Sequence, residues 1–323
     1  MFEITEAKCK IWARMGARAT LGAALFDLVS QREDIFVLSA DLVTSSGLAR
    51  LQKTFPNRCI NVGIAEQNLI GIASGMAKEG AVVFVTSFAP FVTMRACEQI
   101  RMNMGYMKMN VKAVGLGSGL AMAHLGTSHY GLEDISIMRS IPNITVLCPS
   151  DGAEIFKCVF AASEHEGPVY IRLSGGVNNP VVFDSDFNFM IGKAIKFKNG
   201  NDAVFFTNGM MLSQCLIAAE ILEGRGISVA VIDMHTVKPL DTGAIDEAIT
   251  AGLSLITVEE HSVIGGLGSA VAEYKSGLKD APPHLIIGLP DAYGKSGEHT
   301  YLLEEYGLNA ESIACRVEKF LKK

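Results

Sequence analysis

Short apolar runs alternate with helix-period segments along most of this chain, and that alternation constrains the fold more than any other feature. Runs of about four to eight residues closed by turn formers read as strands, and apolar positions three and four apart between them read as helices. Strand–helix–strand order favours mainly parallel sheets with helices on both faces. The first series predicts strands at 35–39, 59–62, 81–86, 111–116, 144–148 and 169–173, with helices at 66–78, 92–104 and 151–164. Six strands would fill one doubly wound sheet. The turn formers Ser174-Gly175-Gly176-Val177-Asn178-Asn179-Pro180 then break the rhythm, and the segment 183–187 reads as a linker. A second series follows, with strands at 203–207, 229–232, 254–258 and 285–287 and helices at 212–223, 242–251, 267–276 and 310–320. The expected fold is α/β: two doubly wound α/β domains, at 1–185 and 190–323.

Bulk properties narrow the class. The chain of 323 residues is long enough for two cores, and its formal net charge of −6 gives no reason to expect nucleic-acid binding. No basic leader precedes an apolar run, and no apolar stretch reaches membrane-spanning length, so the expectation is a cytoplasmic protein. The seven cysteines are scattered and form no C-x-x-C pair, which reads as reduced, buried packing residues. No His/Cys/carboxylate cluster has metal spacing.

In open α/β sheets ligands bind beyond the carboxyl ends of the strands. Asp41, the stretch Gly63 to Glu66, Ser87-Phe88 and Gly117 all follow predicted strands directly, so they should line one sheet edge. Glu66 opens a small-residue, apolar helix. A helix N-terminus favours an ionised carboxylate while burial opposes it, so the residue alone reads either as a satisfied first-turn glutamate or as a working acid. Phe88 and Phe91, three apart, read as core or as an aromatic wall.

Four motifs then occur in order: Asp41-Leu42-Val43-Thr44-Ser45, Asn61-Val62-Gly63-Ile64-Ala65-Glu66-Gln67-Asn68, Thr86-Ser87-Phe88-Ala89-Pro90-Phe91 and Gly126-Thr127-Ser128-His129. Their order and spacing resemble transketolases, from about Arg18 to the last helix, and cover the second half of a full-length transketolase. The resemblance implies a pyrimidine-binding domain followed by a transketolase C-terminal domain, in the C-terminal subunit of a split, thiamine-diphosphate-dependent transketolase. That is a transferase of carbohydrate metabolism, moving a two-carbon ketol unit from a ketose to an aldose acceptor. Glu66 is thereby implied as the acid facing N1′ of the cofactor's aminopyrimidine. Phe88, Phe91, Asp41 and Met94 are implied as cofactor neighbours. His129 is implied at the reacting end of the ketose, and Arg18, Ser45 and Arg172 at a substrate phosphate.

Departures from the family pattern matter equally. Gly117 stands where many transketolases carry a phosphate-contacting histidine, and Leu125 replaces an aspartate in the loop before His129. A site built around a polar contact loses discrimination by orders of magnitude without it, so a non-standard or modified sugar is expected. The chain also lacks Gly-Asp-Gly with a downstream Asn, the motif that holds Mg²⁺ and the diphosphate. A partner, the N-terminal transketolase subunit, is therefore expected to supply that half in an α2β2 heterotetramer. Alternatives are the β subunit of a 2-oxoacid dehydrogenase, a deoxyxylulose-phosphate-synthase-like enzyme, and a degenerate assembly or regulatory subunit.

Overall fold

The computed structural model describes residues 3–322, and two sheets organise them. Twelve strands form, in chain order: β1 (Ile35–Ser39), β2 (Cys59–Asn61), β3 (Val82–Phe88), β4 (Val111–Ser118), β5 (Thr145–Leu147), β6 (Val169–Ser174), β7 (Ile195–Lys198), β8 (Ala203–Thr207), β9 (Val229–Asp233), β10 (Thr236–Lys238), β11 (Ser254–Ser262) and β12 (His284–Leu289). The first sheet has the order β10-β5-β6-β4-β3-β1-β2, and the second β12-β11-β8-β9-β7. Every residue of β4 and β6 is buried, so apolar residues stand on both faces of each strand and neither alternates; Lys112 and Arg172 interrupt the runs as buried, hydrogen-bonded cations. Both sheets are parallel except at one edge each, where β10 and β7 run antiparallel.

Neither antiparallel edge strand was expected from the sequence, so the first sheet has seven strands where six were predicted. β10 comes from the second half of the chain and pairs with β5, covering an edge whose unpaired backbone groups would otherwise need other partners. Two further hydrogen bonds cross beside it, from Cys148 N to His235 O (2.7 Å) and from Gly209 N to Cys148 O (3.1 Å). The second half of the chain thus completes the first sheet.

Buried carboxyls meet at this junction. Glu154, on the helix Gly152–Glu164, accepts hydrogen bonds at Oε2 from Ser150 N (2.6 Å) and Ser150 Oγ (2.7 Å). Its Oε1 and both oxygens of Asp233, at the end of β9, meet no protein N–H. Burial raises the pKa of both carboxyls, and the charge of Glu154 adds to the rise of Asp233.

The predicted helix at 92–104 is not a regular α-helix. It consists of a π-helical turn at Phe91–Arg95, a short α segment at Cys97–Gln99 and a second π segment at Ile100–Tyr106. Such π insertions rotate side chains off the regular helical face and gather at functional sites. All seven cysteines are free. Five are buried as expected, Cys97 is half-buried, and Cys315 departs from the expectation by being exposed. No helix among the described residues is long and apolar enough to cross a membrane.

Candidate active site

Parallel register sets the geometry. Ser39 lies opposite both Asn61 and Thr86, and Phe88 lies opposite Leu116, so the carboxyl ends of β1, β2, β3 and β4 share one edge. Asn61 joins two of those ends. Its Oδ1 accepts from Asp41 N (2.9 Å) and Gly63 N (3.0 Å), while its Nδ2 donates to Asp41 Oδ1 (2.9 Å). Asp41 adopts a left-handed φ of 59°, a conformation Asp tolerates better than most residues, and its side chain is exposed at this rim.

Beyond Gly63 the chain enters the helix Glu66–Lys78, whose first residue is only 2% exposed. Glu66 Oε1 accepts from Ser87 Oγ (3.0 Å), and Oε2 pairs with Arg95 Nη1 at 2.7 Å. A hydroxyl, a cation and a helix N-terminus together offset the cost of burying this carboxylate. Arg95 is itself 46% exposed, so solvent screens much of its attraction. Its guanidinium lies 4.2 Å from the Phe91 ring centre, and its backbone carbonyl accepts from Gln67 Nε2 (3.2 Å). Glu66 and Arg95 open onto a cavity of about 390 Å³ lined also by Ile64, Ala65, Gln67 and Asn68.

Phe88, Phe91 and His129 form one aromatic cluster. The ring centres stand 6.0 Å apart for Phe88–Phe91, 5.7 Å for Phe88–His129 and 5.2 Å for Phe91–His129, all edge-on. His129 Nδ1 lies 3.0 Å from Ser128 Oγ. Met94 is 41% exposed on the π turn that carries Phe91 and Arg95.

Arg18 and Ser45 are also brought together, with Thr44 and Gly47, around a cavity of about 300 Å³. Gly47 permits this. Its φ is 73°, and a Cβ there would meet Ala19 Cα and Arg18 O at 2.8 Å, so only glycine lets the loop lie on the Arg18 helix. Among the described residues Arg18 has no carboxylate within ion-pair distance.

Arg172 is a correction. Expected at a substrate phosphate, it is 2% exposed and pairs at 2.9 Å with Asp134, which is fully buried. Its Nη2 donates to Gly131 O (2.9 Å) and Glu260 O (2.8 Å). A guanidinium committed in this way inside the protein is not offered to a ligand; β6 is buried along its whole length, and the charge needs these partners. The two departures noted in the sequence also find a place. Gly117 has a φ of 61°, and a Cβ there would run into the Met122 thioether, which occupies that space; Leu125 is exposed.

Sequence reasoning missed Ser87 and Arg95 as the partners of Glu66, and Asn61 as the tie to Asp41. Ser87 and Asn61 sat inside the quoted motifs. Arg95 carried no signal, because the π turn, and not α-helical spacing, aims it at Glu66. No group of three or more metal-type ligands occurs among the described residues.

A family model for the transketolase pyrimidine binding domain matches residues 13–177, and one for the transketolase C-terminal domain matches residues 192–313. The fold and the two family models define the class: a transketolase pyrimidine-binding domain followed by a transketolase C-terminal domain. A putative transketolase C-terminal section of Methanocaldococcus jannaschii is 39% identical over 310 residues, covering 95% of this chain and 97% of the relative. A 6-deoxy-6-sulfo-D-fructose transketolase subunit of Clostridium sp. (strain MSTE9) is 39% identical over 298 residues, covering 92% and 91% respectively. A solved structure described as a split gene transketolase, inactive beta4 tetramer, superposes with a TM-score of 0.87 at 41% identity, covering 94% of this chain and 98% of that one. The chain belongs to the transketolase family.

Proposed function

We propose that this chain is the pyrimidine-side subunit of a thiamine-diphosphate-dependent transketolase that moves a two-carbon ketol unit from a ketose to an aldose acceptor. The observation that carries the reading is Glu66: a buried carboxylate at the strand-end edge, open to a cavity and linked through Arg95 to the cluster of Phe91, Phe88 and His129. These residues fit the aminopyrimidine half of the cofactor, which needs a flat apolar wall and one acid at N1′. When bound, the cofactor supplies the nucleophilic carbon for breaking and forming the carbon–carbon bond. Glu66 holds or passes the proton at N1′, general acid–base help worth on the order of 10²- to 10⁴-fold. Arg95 has to release Glu66 Oε2 for that oxygen to face a ring nitrogen, and its exposure makes the release inexpensive. His129, edge-on to both phenylalanines, hydrogen-bonds the ketose near its reacting hydroxyl and carbonyl.

The other half of the site belongs to a partner, the N-terminal transketolase subunit, which holds Mg²⁺ and the diphosphate. The missing Gly-Asp-Gly motif supports this, as does the description of the similar beta4 tetramer as inactive. An α2β2 assembly follows. Arg18 with Ser45 and Thr44 forms the subsite for the sugar's anionic end. Gly117 under Met122, and exposed Leu125, remove two polar readers of an ordinary pentose phosphate. A modified anionic sugar fits best, in keeping with the sulfonated sugar named for one relative.

The test is to co-purify the chain with its partner, add thiamine diphosphate and Mg²⁺, and screen sulfonated, branched and phosphorylated ketose donors by mass spectrometry. Ketol transfer from an anionic ketose supports the reading. Decarboxylation of a 2-oxoacid, with no transfer from any ketose, would overturn it.

A further inference from the structure

His129 stands on a loop that belongs by chain order to the first domain, yet the second domain holds it. The loop begins and ends at Gly119 and Gly131, which exchange backbone hydrogen bonds (2.9 and 3.2 Å). Within it, Leu120 and Tyr130 are buried, and with Leu132 just beyond they pack in the core of the second domain, in one cluster with Leu289, Leu302 and Leu308. The tip, 123–130, lies along the second domain's segment 294–298. Thr127 Oγ1 donates to Gly294 O (3.0 Å), His124 Nε2 lies 2.9 Å from Glu298 Oε1, and Tyr130 Oη lies 2.6 Å from Ala123 O and 2.8 Å from Lys295 O. Gly126, at a φ of 70°, passes so close to Ser296 that a Cβ would collide with its hydroxyl. The base is held as well. Glu260 Oε1 accepts from Leu120 N (3.2 Å) and faces His299 Nε2 at 2.6 Å, while Arg172 ties Gly131 O to Glu260 O.

We propose that the second domain is the template that positions His129, and that Tyr130 is the positioning residue linking the two. The argument has two parts. Three hydrogen bonds and one glycine-only approach tie loop residues 124, 126, 127 and 130 to residues 298, 296, 294 and 295 of the second domain, so the loop's path is dictated by that domain. His129 is also the neighbour of Tyr130, whose ring is sunk in the second core and whose hydroxyl spans both segments. Movement at Tyr130 is therefore passed directly to the imidazole that meets Phe88 and Phe91. The second domain thus takes part in the chemistry without lending it a reacting group. Arg172 acquires its role here, as an anchor for the loop's base.

This inference rests on the transketolase reading only for what His129 does, so the test separates the two. Tyr130→Phe removes the hydroxyl and keeps the ring in its core. The partner-bound chain carrying it is compared with wild type by hydrogen–deuterium exchange, thermal midpoint and turnover, alone and combined with His129→Ala. The expected result is exchange over 123–131 accelerated about tenfold, the size of one lost hydrogen bond. Turnover should fall in the His129 background but not further in the His129→Ala background, because Tyr130 acts through that residue. Unchanged exchange overturns the proposal, and so does an equal fall in turnover in both backgrounds. Should Tyr130→Phe aggregate, Thr127→Val at the exposed tip is read by the same criteria. Exchange needs no turnover, so a failure of the cofactor reading, reported separately by Glu66→Gln, leaves this result standing.

Discussion

Replacing Asp233 by Asn should flatten the dependence of this protein's stability on pH. Burial raises the carboxyl of Glu154 to about 7, and raises that of Asp233 with help from the negative charges of Glu154 and Asp151. Among the other groups around the pair, burial also raises the carboxyl of Asp151, against the backbone hydrogen bonds that it accepts. Asp151 caps the helix with Glu154 N and accepts from Val182 N and Phe183 N, burial pushes the Cys148 and Cys158 thiols upward, and burial lowers His235 to about 4. A folded pKa above the unfolded one means that the folded chain binds more protons. The dyad's stability is therefore complete below the unfolded carboxylate range and is lost as pH rises toward and through 7. For Glu154 the rise from 4.5 to about 7 corresponds to about 3 kcal/mol.

Asn at 233 cannot ionise, so it removes one of the two raised carboxyls and its charge beside Glu154. The variant keeps the raised carboxyl of Glu154 and loses that of Asp233, so it should lose less stability than wild type as pH rises from 5 to 8. The assay is urea unfolding from pH 5 to 8, followed by the fluorescence of Trp12, the sole tryptophan. It stacks at 4.1 Å on Phe156 of the helix that carries Glu154. Parallel stability curves for the two proteins would refute the raised Asp233 carboxyl as a source of the pH dependence.

Three further outcomes are expected. Glu66→Gln in the assembled enzyme should lower turnover by at least about 100-fold with an unchanged circular dichroism spectrum; near-normal activity removes Glu66 from the chemistry. Titration calorimetry of the single chain with thiamine diphosphate and Mg²⁺ should show no tight binding until the partner is added, and tight binding by the chain alone contradicts the split site. Gly22→Ala places a methyl group against the backbone carbonyl of Gly47, which should cost about 1–3 kcal/mol of stability and raise KM for an anionic donor by shifting Ser45 from Arg18; unchanged urea midpoint and KM would count against that packing.

The periodic part of the fold was legible in the sequence because its cause is local. β4 and β6 are buried on both faces and are mostly apolar without alternation, and Glu66–Lys78 showed its start through Gly63 and its own small-residue pattern. The edge position of Asp41, Glu66 and Phe88 followed from strand direction alone. β7 and β10 were not legible, because a three- or four-residue edge strand is defined by the strand it meets and not by its own composition. The π turns at 91–106 were hidden for a related reason: one inserted residue leaves the apolar spacing nearly helical while rotating Arg95 onto Glu66.

By itself the sequence determined the architecture, the family and the ordered motifs that converge on one sheet edge, since periodicity and strand direction are properties of neighbouring residues. Only the tertiary structure decided the fate of each charge. Arg172 and Arg18 look alike as letters, yet Asp134 and two carbonyls bury the first, while the second stays open beside Ser45. Glu154 and Asp233, far apart in the chain, are both raised because they are buried where the two halves of the chain meet. Burial and partnership are set by segments distant in sequence, and those two quantities fix what a charged side chain can do.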